Sequence, residues 1–332
     1  MKKFIAILLM LAVATVAFAG ARRAATSSGI KVGIVNLHPS ESGYREANVR
    51  DMDRVFNAAN GYDVLKANEN TLDAQINAAR QFITEGVKYL LISAADANGW
   101  DSVLAEAKRA GVKVFLFDRM INTDQSNFEA AVVSDMEEEG RTAVRWMESL
   151  NWPVYNIIHI QGQIGSAAQI GRSGPLDQKI NSTANWNLVR RGTGGDTWSA
   201  DEAKRIVEAA IAAGERFNII YAENDGMAEG AMQALQAAGI SHGVGANGTN
   251  NTVAIMGFDC NKFALRYVLN GQWNFDGQCS PFQADVIHGF IQKLEAGQSL
   301  GLSNKIVINE ETYFANPGKI TQADIDRYGL GD

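Results

Sequence analysis

The sequence predicts a two-lobed α/β protein in which each lobe is built on a doubly wound parallel sheet. Its 332 residues are about twice the usual length of one domain. Short apolar, β-branched segments alternate with longer amphipathic stretches along most of the chain, and strands of this composition are typical of parallel sheets buried on both faces. The alternation restarts after a polar loop at 122–127, which indicates two such sheets.

The predicted elements follow one another with each strand leading into an amphipathic helix. The first group comprises strands at 31–36, 62–66, 87–92 and 112–117 and helices at 43–59, 71–85 and 100–110. The second group comprises strands at 154–160, 187–191, 217–222 and 252–258 and helices at 166–182, 199–213 and 225–238. No Pro/Ser-rich linker separates the two groups, so we expect the chain to cross between the lobes by strands.

The N-terminus has the pattern of an export signal. Lys2 and Lys3 precede an apolar run at 4–16, and Ala17 and Ala19 supply a small-x-small cleavage site. We therefore predict a signal peptide at 1–19 and a location in the periplasm or another extracytoplasmic space. The alternative is an uncleaved anchor helix, although the run is shorter than a typical membrane span.

Composition and motifs argue against several functional classes. Thirty basic and 37 acidic residues give a net charge of −7 without a basic run, so nucleic acid and anionic membranes are poor candidate partners. Neither the P-loop motif G-x-x-x-x-G-K-[ST] nor the zinc-protease motif H-E-x-x-H occurs. The G-x-G-x-x-G match at 243–248 lies between a helix and a strand, the reverse of the order that dinucleotide binding requires. The two cysteines, Cys260 and Cys279, either pair in an oxidising compartment or remain buried free thiols.

Polar side chains follow several predicted strands, at the sheet edge where open α/β sheets bind ligands. These side chains are planar and polydentate. Five of them follow strands and Arg172 lies in the helix after strand 154–160; the full set is Asp118, Arg119, Arg172, Asn224, Asp259 and Gln278. Such groups bind adjacent hydroxyls in a fixed geometry. Nearby aromatic residues could cover the C–H faces of a sugar ring, namely Tyr44, Trp100, Phe117 and Trp198. The pattern favours a site for a neutral polyol, the alternative being that these residues serve as helix caps and turns.

A series of short segments, in this order and spacing, resembles a known family. The segments are 40–45, 99–100, 115–119, 161–162 with Arg172, 221–227 and 257–259. Together they resemble the type I periplasmic sugar-binding proteins of the ribose/galactose cluster, and most closely the galactofuranose-binding members. The resemblance extends over residues 30–312.

This resemblance implies a type I periplasmic binding protein fold with two lobes and a three-segment hinge. The implied lobes are 30–134 plus 280–308 and 135–279 plus 309–332, with crossovers near 133–136, 278–282 and 307–311. They would close over one monosaccharide, with galactofuranose or a pentose favoured, and the closed monomer would deliver it to the membrane permease of an ABC importer. The implied ligand contacts are Tyr44, Arg45, Ser93, Trp100, Asp118, Arg119, Arg172, Trp198, Asn224, Asp259 and Gln278.

The chain departs from the family pattern at two places near this implied site. Cys260 follows Asp259 where a glycine is usual, and Thr197 stands where relatives have an aromatic residue, with Trp198 next to it. The resemblance also places Cys260 and Cys279 on neighbouring strands beside the cleft, which makes them a candidate disulfide.

The resemblance implies a binding protein without enzymatic activity, cofactor or metal; a calcium-binding loop of the D-x-[DN]-x-[DN]-G type does not occur. A sugar receptor for chemotaxis or signalling is an alternative that the residues do not separate from a transport receptor. A glycosidase is a further alternative, but it needs one protonated carboxyl group, and Arg119 beside Asp118 favours the ionised form.

Overall fold

This computed structural model describes residues 29–249 and 251–331. The strands of these residues form two separate β-sheets. They confirm the prediction of two parallel-sheet α/β lobes. The predicted signal peptide at 1–19 lies outside the described residues. Within those described ranges, no helix combines the length and the apolar character needed to span a bilayer.

The first lobe contains a parallel sheet and the helices that connect its strands. Its elements are β1 (Ile30–Asn36), α1 (Gly43–Val55), β2 (Tyr62–Asn68), α2 (Leu72–Thr84), β3 (Tyr89–Ile92), α3 (Asp101–Arg109), β4 (Lys113–Asp118) and β5 (Ala130–Val133). Later in the chain, α9 (Ala284–Glu295) and β12 (Ile306–Ile308) complete the lobe. The strand order is β12-β5-β4-β3-β1-β2, and every pair is parallel. Strands β3 and β5 are buried along their whole length, as their apolar sequences predict.

The second lobe repeats this architecture. Its elements are α4 (Met136–Ser149), β6 (Tyr155–Gln161), α5 (Ala167–Ser182), β7 (Trp186–Thr193), α6 (Ala200–Ala212), β8 (Ile219–Ala222), α7 (Asp225–Ala237), β9 (Ser241–His242), β10 (Thr252–Phe258), α8 (Lys262–Leu269), β11 (Phe275–Gly277), β13 (Tyr313–Ala315) and α10 (Gln322–Tyr328). The order is β13-β11-β10-β8-β6-β7, with β9 paired to β10. Only β13 runs antiparallel to its neighbour in this sheet. The loop at 243–248 leads from β9 to β10 and not into a helix, so its glycine pattern is not a dinucleotide fingerprint.

The chain crosses between the two sheets three times. It leaves the first sheet after β5, returns to it after β11, and leaves it again between β12 and β13. These crossovers fall at 134–135, 278–283 and 309–312. Parallel strands point their carboxyl ends to the same sheet edge, so the ends of β4, β8 and β10 carry the residues that meet between the lobes.

Candidate functional site

A small cavity lies between the lobes, and residues of both lobes form its wall. The first lobe contributes Glu41, Ser42, Tyr44 and Arg119, and the second lobe with its crossover contributes Met136, Ala168, Arg172, Trp198, Asn224, Asp259 and Cys279. We call this space the inter-lobe cavity. Its volume is about 20 Å³, which is room for about one water molecule.

Direct contacts between the lobes show that they are closed. The Ala97 amide donates to the Gly165 carbonyl at 3.1 Å, and Gln163 Nε2 donates to the Asn70 carbonyl at 3.1 Å. Helix α1 also begins against the loop that follows β10, where a Cβ added to Gly43 would lie only 2.0 Å from Asn261 Oδ1. The structure therefore represents a contracted, closed state, in which a monosaccharide fits only after the cavity widens.

Asp118, the last residue of β4, is the centre of a buried network behind the cavity wall. Its Oδ1 accepts from the Tyr44 hydroxyl at 2.8 Å, and its Oδ2 accepts from Arg45 Nη2 at 2.7 Å, Ser93 Oγ at 2.6 Å and Arg119 Nε at 2.8 Å. Burial opposes ionisation, but the Arg119 and Arg45 guanidinium groups and the Ser93 hydroxyl outweigh it and hold the pKa of Asp118 well below its usual range. Because both carboxylate oxygens are engaged within the protein, Asp118 orients its neighbours and does not itself line the inter-lobe cavity.

Arg45 and Ser93 belong to the same network and lie deeper than predicted. Arg45 is fully buried, and its guanidinium donates to Asn36 Oδ1, Ser93 Oγ, Asp118 Oδ2 and Glu41 Oε2 at 2.7 to 3.2 Å. Neither Arg45 nor Ser93 lines the inter-lobe cavity. Both therefore stabilise the wall residues from behind in this closed state, and their implied role as direct ligand contacts stays a prediction.

Three buried polar atoms of the wall have no hydrogen-bond partner among the described residues. They are Arg119 Nη1, Trp198 Nε1 and Glu41 Oε1. Arg119 is fixed by its bond to Asp118, and the indole ring of Trp198 lies over Gly162, where a Cβ would be 1.9 Å from the ring. A buried polar atom without a partner costs about 1–3 kcal/mol, so these two donors and one acceptor are suited to a ligand that supplies hydroxyl groups.

Arg172 and Asp259 form the second lobe's charged part of the wall. Arg172 donates from Nε to Glu139 Oε2 at 2.7 Å and from Nη2 to Asp259 Oδ1 at 3.1 Å, and its guanidinium lies 4.8 Å from the Phe258 ring centroid. Close packing of α4 against α5 brings Arg172 next to Glu139. Gly140 and Gly171 allow this packing, because a Cβ on Gly140 would lie 2.6 Å from the Gly171 carbonyl oxygen of the α5 backbone. Burial raises the pKa of Asp259 to about 7, although Arg172 opposes the shift.

Asn224 is both a helix cap and a cavity residue. Its Oδ1 accepts from the Met227 amide at 2.8 Å and caps α7, while its side chain also lines the inter-lobe cavity. The two interpretations left open by the sequence are therefore compatible at this position.

Unusual backbone conformations concentrate at this site. The non-glycine residues with positive φ among the described residues are Asp118, Asn151, Trp198, Asp259 and Cys260. Trp198 and Asp259 line the inter-lobe cavity, and Asp118 and Cys260 are next in the chain to its wall residues Arg119 and Asp259. Such conformations are costly away from glycine and cluster at functional sites, which independently points to the same region.

Trp100 and Gln278, both predicted ligand contacts, are not brought to the inter-lobe cavity. Trp100 is completely buried in the first-lobe core, where its Nε1 donates to the Asp96 carbonyl at 2.9 Å. Gln278 pairs with the third crossover, accepting on Oε1 from the Thr312 amide at 3.1 Å. It lines a different cavity, of about 450 Å³, at the hinge.

The candidate disulfide is not formed, and both cysteines are free and buried. The physical reason is that the two side chains have different surroundings. Cys260 packs with Leu265, Phe314 and Ile325, whereas the Cys279 thiol donates to Ser134 Oγ at 3.5 Å. Cys279 also contributes to the wall of the inter-lobe cavity.

Glu41 and Ser42 are the polar wall residues that the sequence did not single out. Both lie in the segment 40–45 that carries the family resemblance, but the ligand contacts implied by the resemblance in that segment are Tyr44 and Arg45. Ser42 caps α1 by accepting from the Arg45 amide at 3.1 Å, and a cap with acidic neighbours is common on surfaces. The buried state of Glu41, only 5% exposed, follows from its pairing with Arg45, which a residue list cannot show.

Comparison with known proteins identifies relatives of the chain. A family model described as a periplasmic binding protein domain matches residues 32–286. The galactofuranose-binding protein YtfQ of Escherichia coli is 34% identical over 174 residues, covering 51% of this chain and 54% of that protein. The matched part thus spans about half the length of that relative.

Solved structures match over nearly the whole chain. A crystal structure of a galactofuranose binding protein has a TM-score of 0.79 at 25% identity and covers 90% of this chain and 98% of its own. The periplasmic binding protein of the arabinose ABC transporter from Shewanella sp. ANA-3, solved with α- and β-L-arabinofuranose, has a TM-score of 0.78 at 27% identity and covers 90% and 95%.

Proposed function

The chain belongs to the periplasmic binding protein family, and from this we propose that it is the extracytoplasmic solute receptor of a sugar ABC importer. Its ligand is a neutral monosaccharide, with galactofuranose or a pentose favoured, bound in the inter-lobe cavity. The observation that carries the proposal is that buried donors and an acceptor, contributed by both lobes, remain without partners in the wall of this cavity.

The electrostatics of the wall support an uncharged ligand. Each charged wall residue already has an opposite charge within the protein: Glu41 pairs with Arg45, Arg119 with Asp118, and Arg172 with both Glu139 and Asp259. A charged ligand would therefore be buried without a free counter-charge, which is costly. A polyol needs only the hydrogen bonds that the unpaired atoms offer.

The preference for a furanose or a pentose is supported by the solved relatives and by the size of the cavity. One structurally similar protein is a galactofuranose binding protein, and another was solved with bound α- and β-L-arabinofuranose. Because the closed cavity is small, a compact ring requires the least widening. The rings of Tyr44 and Trp198, one from each lobe, form apolar parts of the wall that suit the C–H faces of such a ring.

Lobe closure is the conformational change by which the receptor distinguishes its sugar-bound state from its free state. A ligand that bonds Glu41 and Arg119 on one lobe and Trp198 and Asn224 on the other stabilises only the closed state, because the two groups separate when the hinge opens. The closed form would then deliver the sugar to a membrane permease. A chemotaxis or signalling receptor would use the same closed form.

A hydrolase is less well supported. A glycosidase needs two carboxyl groups facing the substrate, one of them protonated. Both oxygens of Asp118 are occupied by protein donors, and Glu41 and Asp259, which do line the cavity, each pair with a buried arginine. We therefore expect no release of nitrophenol from a panel of nitrophenyl glycosides.

The test is a thermal-shift screen of the mature protein with L-arabinose, D-galactose, D-xylose, D-ribose, D-fructose and myo-inositol, followed by calorimetry on the hits. A ligand of the folded state raises Tm by mass action, equivalent to about 2.7 kcal/mol at a hundredfold excess over Kd. We expect a shift with a sugar that has a furanose form and little or none with charged sugar acids. Absence of a shift with every neutral sugar would remove the proposal.

A further inference from the structure

The three crossovers between the lobes meet at a largely buried cluster of two carboxylates and a thiol beside the inter-lobe cavity. Glu139 lies in the first turn of α4 after the first crossover, Cys279 lies on the second crossover, and Glu311 lies on the third. One ligand atom from each of these three side chains lies within 4.8 Å of the other two. The cluster thus brings two carboxylates and a thiol to one point of the hinge.

Neighbouring donors fix the orientation of both carboxylates. Glu311 Oε1 accepts from Ser134 Oγ at 2.5 Å and from the Ser280 amide at 2.7 Å. Glu139 Oε2 accepts from Arg172 Nε at 2.7 Å. Outer hydrogen bonds of this kind orient the ligands of protein metal sites and leave the second carboxylate oxygen free to coordinate.

The second oxygen of Glu139 is the unsatisfied group of the cluster. Oε1 is buried and has no hydrogen-bond partner among the described residues, and the Glu139 side chain is only 4% exposed. This oxygen is therefore available to a ligand at the cluster.

We propose that Glu139, Cys279 and Glu311 bind a divalent cation of the Zn²⁺ class at the hinge. A thiolate together with carboxylates suits a borderline-soft ion, whereas Ca²⁺ and Mg²⁺ take oxygen ligands. Three protein ligands leave the fourth tetrahedral position to water. Both glutamates line the hinge cavity of about 450 Å³, which provides the route of entry. Binding releases the thiol proton of Cys279, because only the thiolate coordinates.

This site could not be predicted from the sequence, because its ligands are far apart in the chain and match no metal motif. Since each ligand lies beside a different crossover, a bound ion would connect all three segments of the hinge. Cys279 also lines the inter-lobe cavity, and Glu139 pairs with Arg172 of its wall, so the metal site adjoins the sugar site; its test nevertheless needs no sugar.

The test uses tag-free mature protein that has been treated with a chelator and then titrated with ZnCl₂ by calorimetry and with CoCl₂ by absorption spectroscopy. We expect one high-affinity ion per chain and a thiolate-to-cobalt charge-transfer band. Cys279→Ser should abolish the band, and Glu311→Gln should weaken Zn²⁺ binding by more than the ~10- to 100-fold that loss of an outer partner causes. Cys260→Ser is the matched control, because it removes the other buried thiol, which packs in a separate apolar cluster.

Two outcomes would overturn the proposal. One is the absence of stoichiometric Zn²⁺ binding by the wild type, in which case a shared proton satisfies the two carboxylates. The other is a Cys279→Ser variant that binds Co²⁺ with the wild-type spectrum, which would locate the ion elsewhere. Circular dichroism establishes that each variant is folded, and Glu311→Gln provides the same test should Cys279→Ser fail to fold.

Discussion

Trp198 and Trp100 form a matched pair that separates a ligand contact from a core residue by the same substitution. Both were implied as ligand contacts, and both are buried. Trp198 lines the inter-lobe cavity and its indole N–H has no partner among the described residues. Trp100 lies in the first-lobe core with its N–H bonded to the Asp96 carbonyl. Trp198→Phe and Trp100→Phe should therefore affect different properties of the protein.

For Trp198→Phe we expect a loss of sugar affinity with little loss of stability. The phenyl ring lacks the N–H, so a ligand oxygen buried against it is left unpaired at a cost of about 1–3 kcal/mol. That corresponds to a Kd increase of about 5- to 150-fold. Without sugar, the variant loses packing over Gly162 but also loses a buried unpaired donor, and these effects oppose each other. The free energy of unfolding should change by less than about 1 kcal/mol.

For Trp100→Phe the expectation is reversed. The lost hydrogen bond to Asp96 costs about 1 kcal/mol, and the space left by the smaller ring costs roughly another 1 kcal/mol. Together they predict a decrease of about 2 kcal/mol in the free energy of unfolding, or a Tm lower by several degrees. The sugar affinity should stay within about twofold of the wild type, because no wall residue moves.

The assay combines calorimetry, using the sugar that gives the largest wild-type thermal shift, with urea unfolding in the absence of sugar. The reasoning is refuted if Trp198→Phe binds that sugar as tightly as the wild type. It is equally refuted if Trp100→Phe loses affinity while its stability is unchanged, since the first-lobe core residue would then be a ligand contact.

Two further predictions concern acidic residues. Glu41→Gln should weaken sugar binding about 5- to 50-fold, because its unpaired oxygen loses the charge that strengthens a bond to a hydroxyl. Glu46→Gln, on the exposed face of the following helix α1, is the control, and equal affinities of the two variants in calorimetry would contradict a role for Glu41. Burial raises the pKa of Asp276 to about 8, so the folded state keeps a proton that the unfolded chain releases above about pH 4. The tighter proton binding of the folded state favours folding at low pH, and this contribution to the free energy of unfolding is lost as the pH rises from about 4 to 8. Asp276→Asn should therefore reduce the fall in stability between pH 5 and pH 8 by about 1–3 kcal/mol, and urea unfolding that shows an unchanged fall would contradict this cause.

The fold was predictable because its signals are local. A parallel strand buried on both faces requires an apolar run such as 89–92, and the following helix requires an apolar stripe with a cap. The structure places β3 at Tyr89–Ile92 and α2 at Leu72–Thr84, within two residues of the predicted bounds. The crossovers could not be derived in this way, because which sheet a short strand such as β12 joins depends on partners far away in the sequence.

The site was predictable as a set of positions but not as a set of contacts. Strand-end positions such as Asp118 and Asp259 follow from the strand pattern, so the sequence identifies them. Whether a side chain faces the ligand or its neighbours depends on distant partners. Asp118 is saturated by donors from α1, from the segment after β3 and from Arg119, which follows β4. Gln278 is held by the third crossover. No spacing rule contains that information.

The division between network and wall also explains how the site can be selective. Arg119 presents one bonded nitrogen to Asp118 and one unpaired nitrogen at the wall, so its position is fixed before any ligand arrives. A sugar that places an oxygen at that nitrogen gains a bond without an ordering cost, whereas one that lacks the oxygen leaves the donor buried and unpaired. Discrimination between sugars of the same ring size should therefore arise from hydroxyl position. A series of deoxy-sugars in the calorimeter tests this directly, because loss of the hydroxyl matched to that nitrogen should cost more affinity than loss of a hydroxyl that meets no unpaired wall atom.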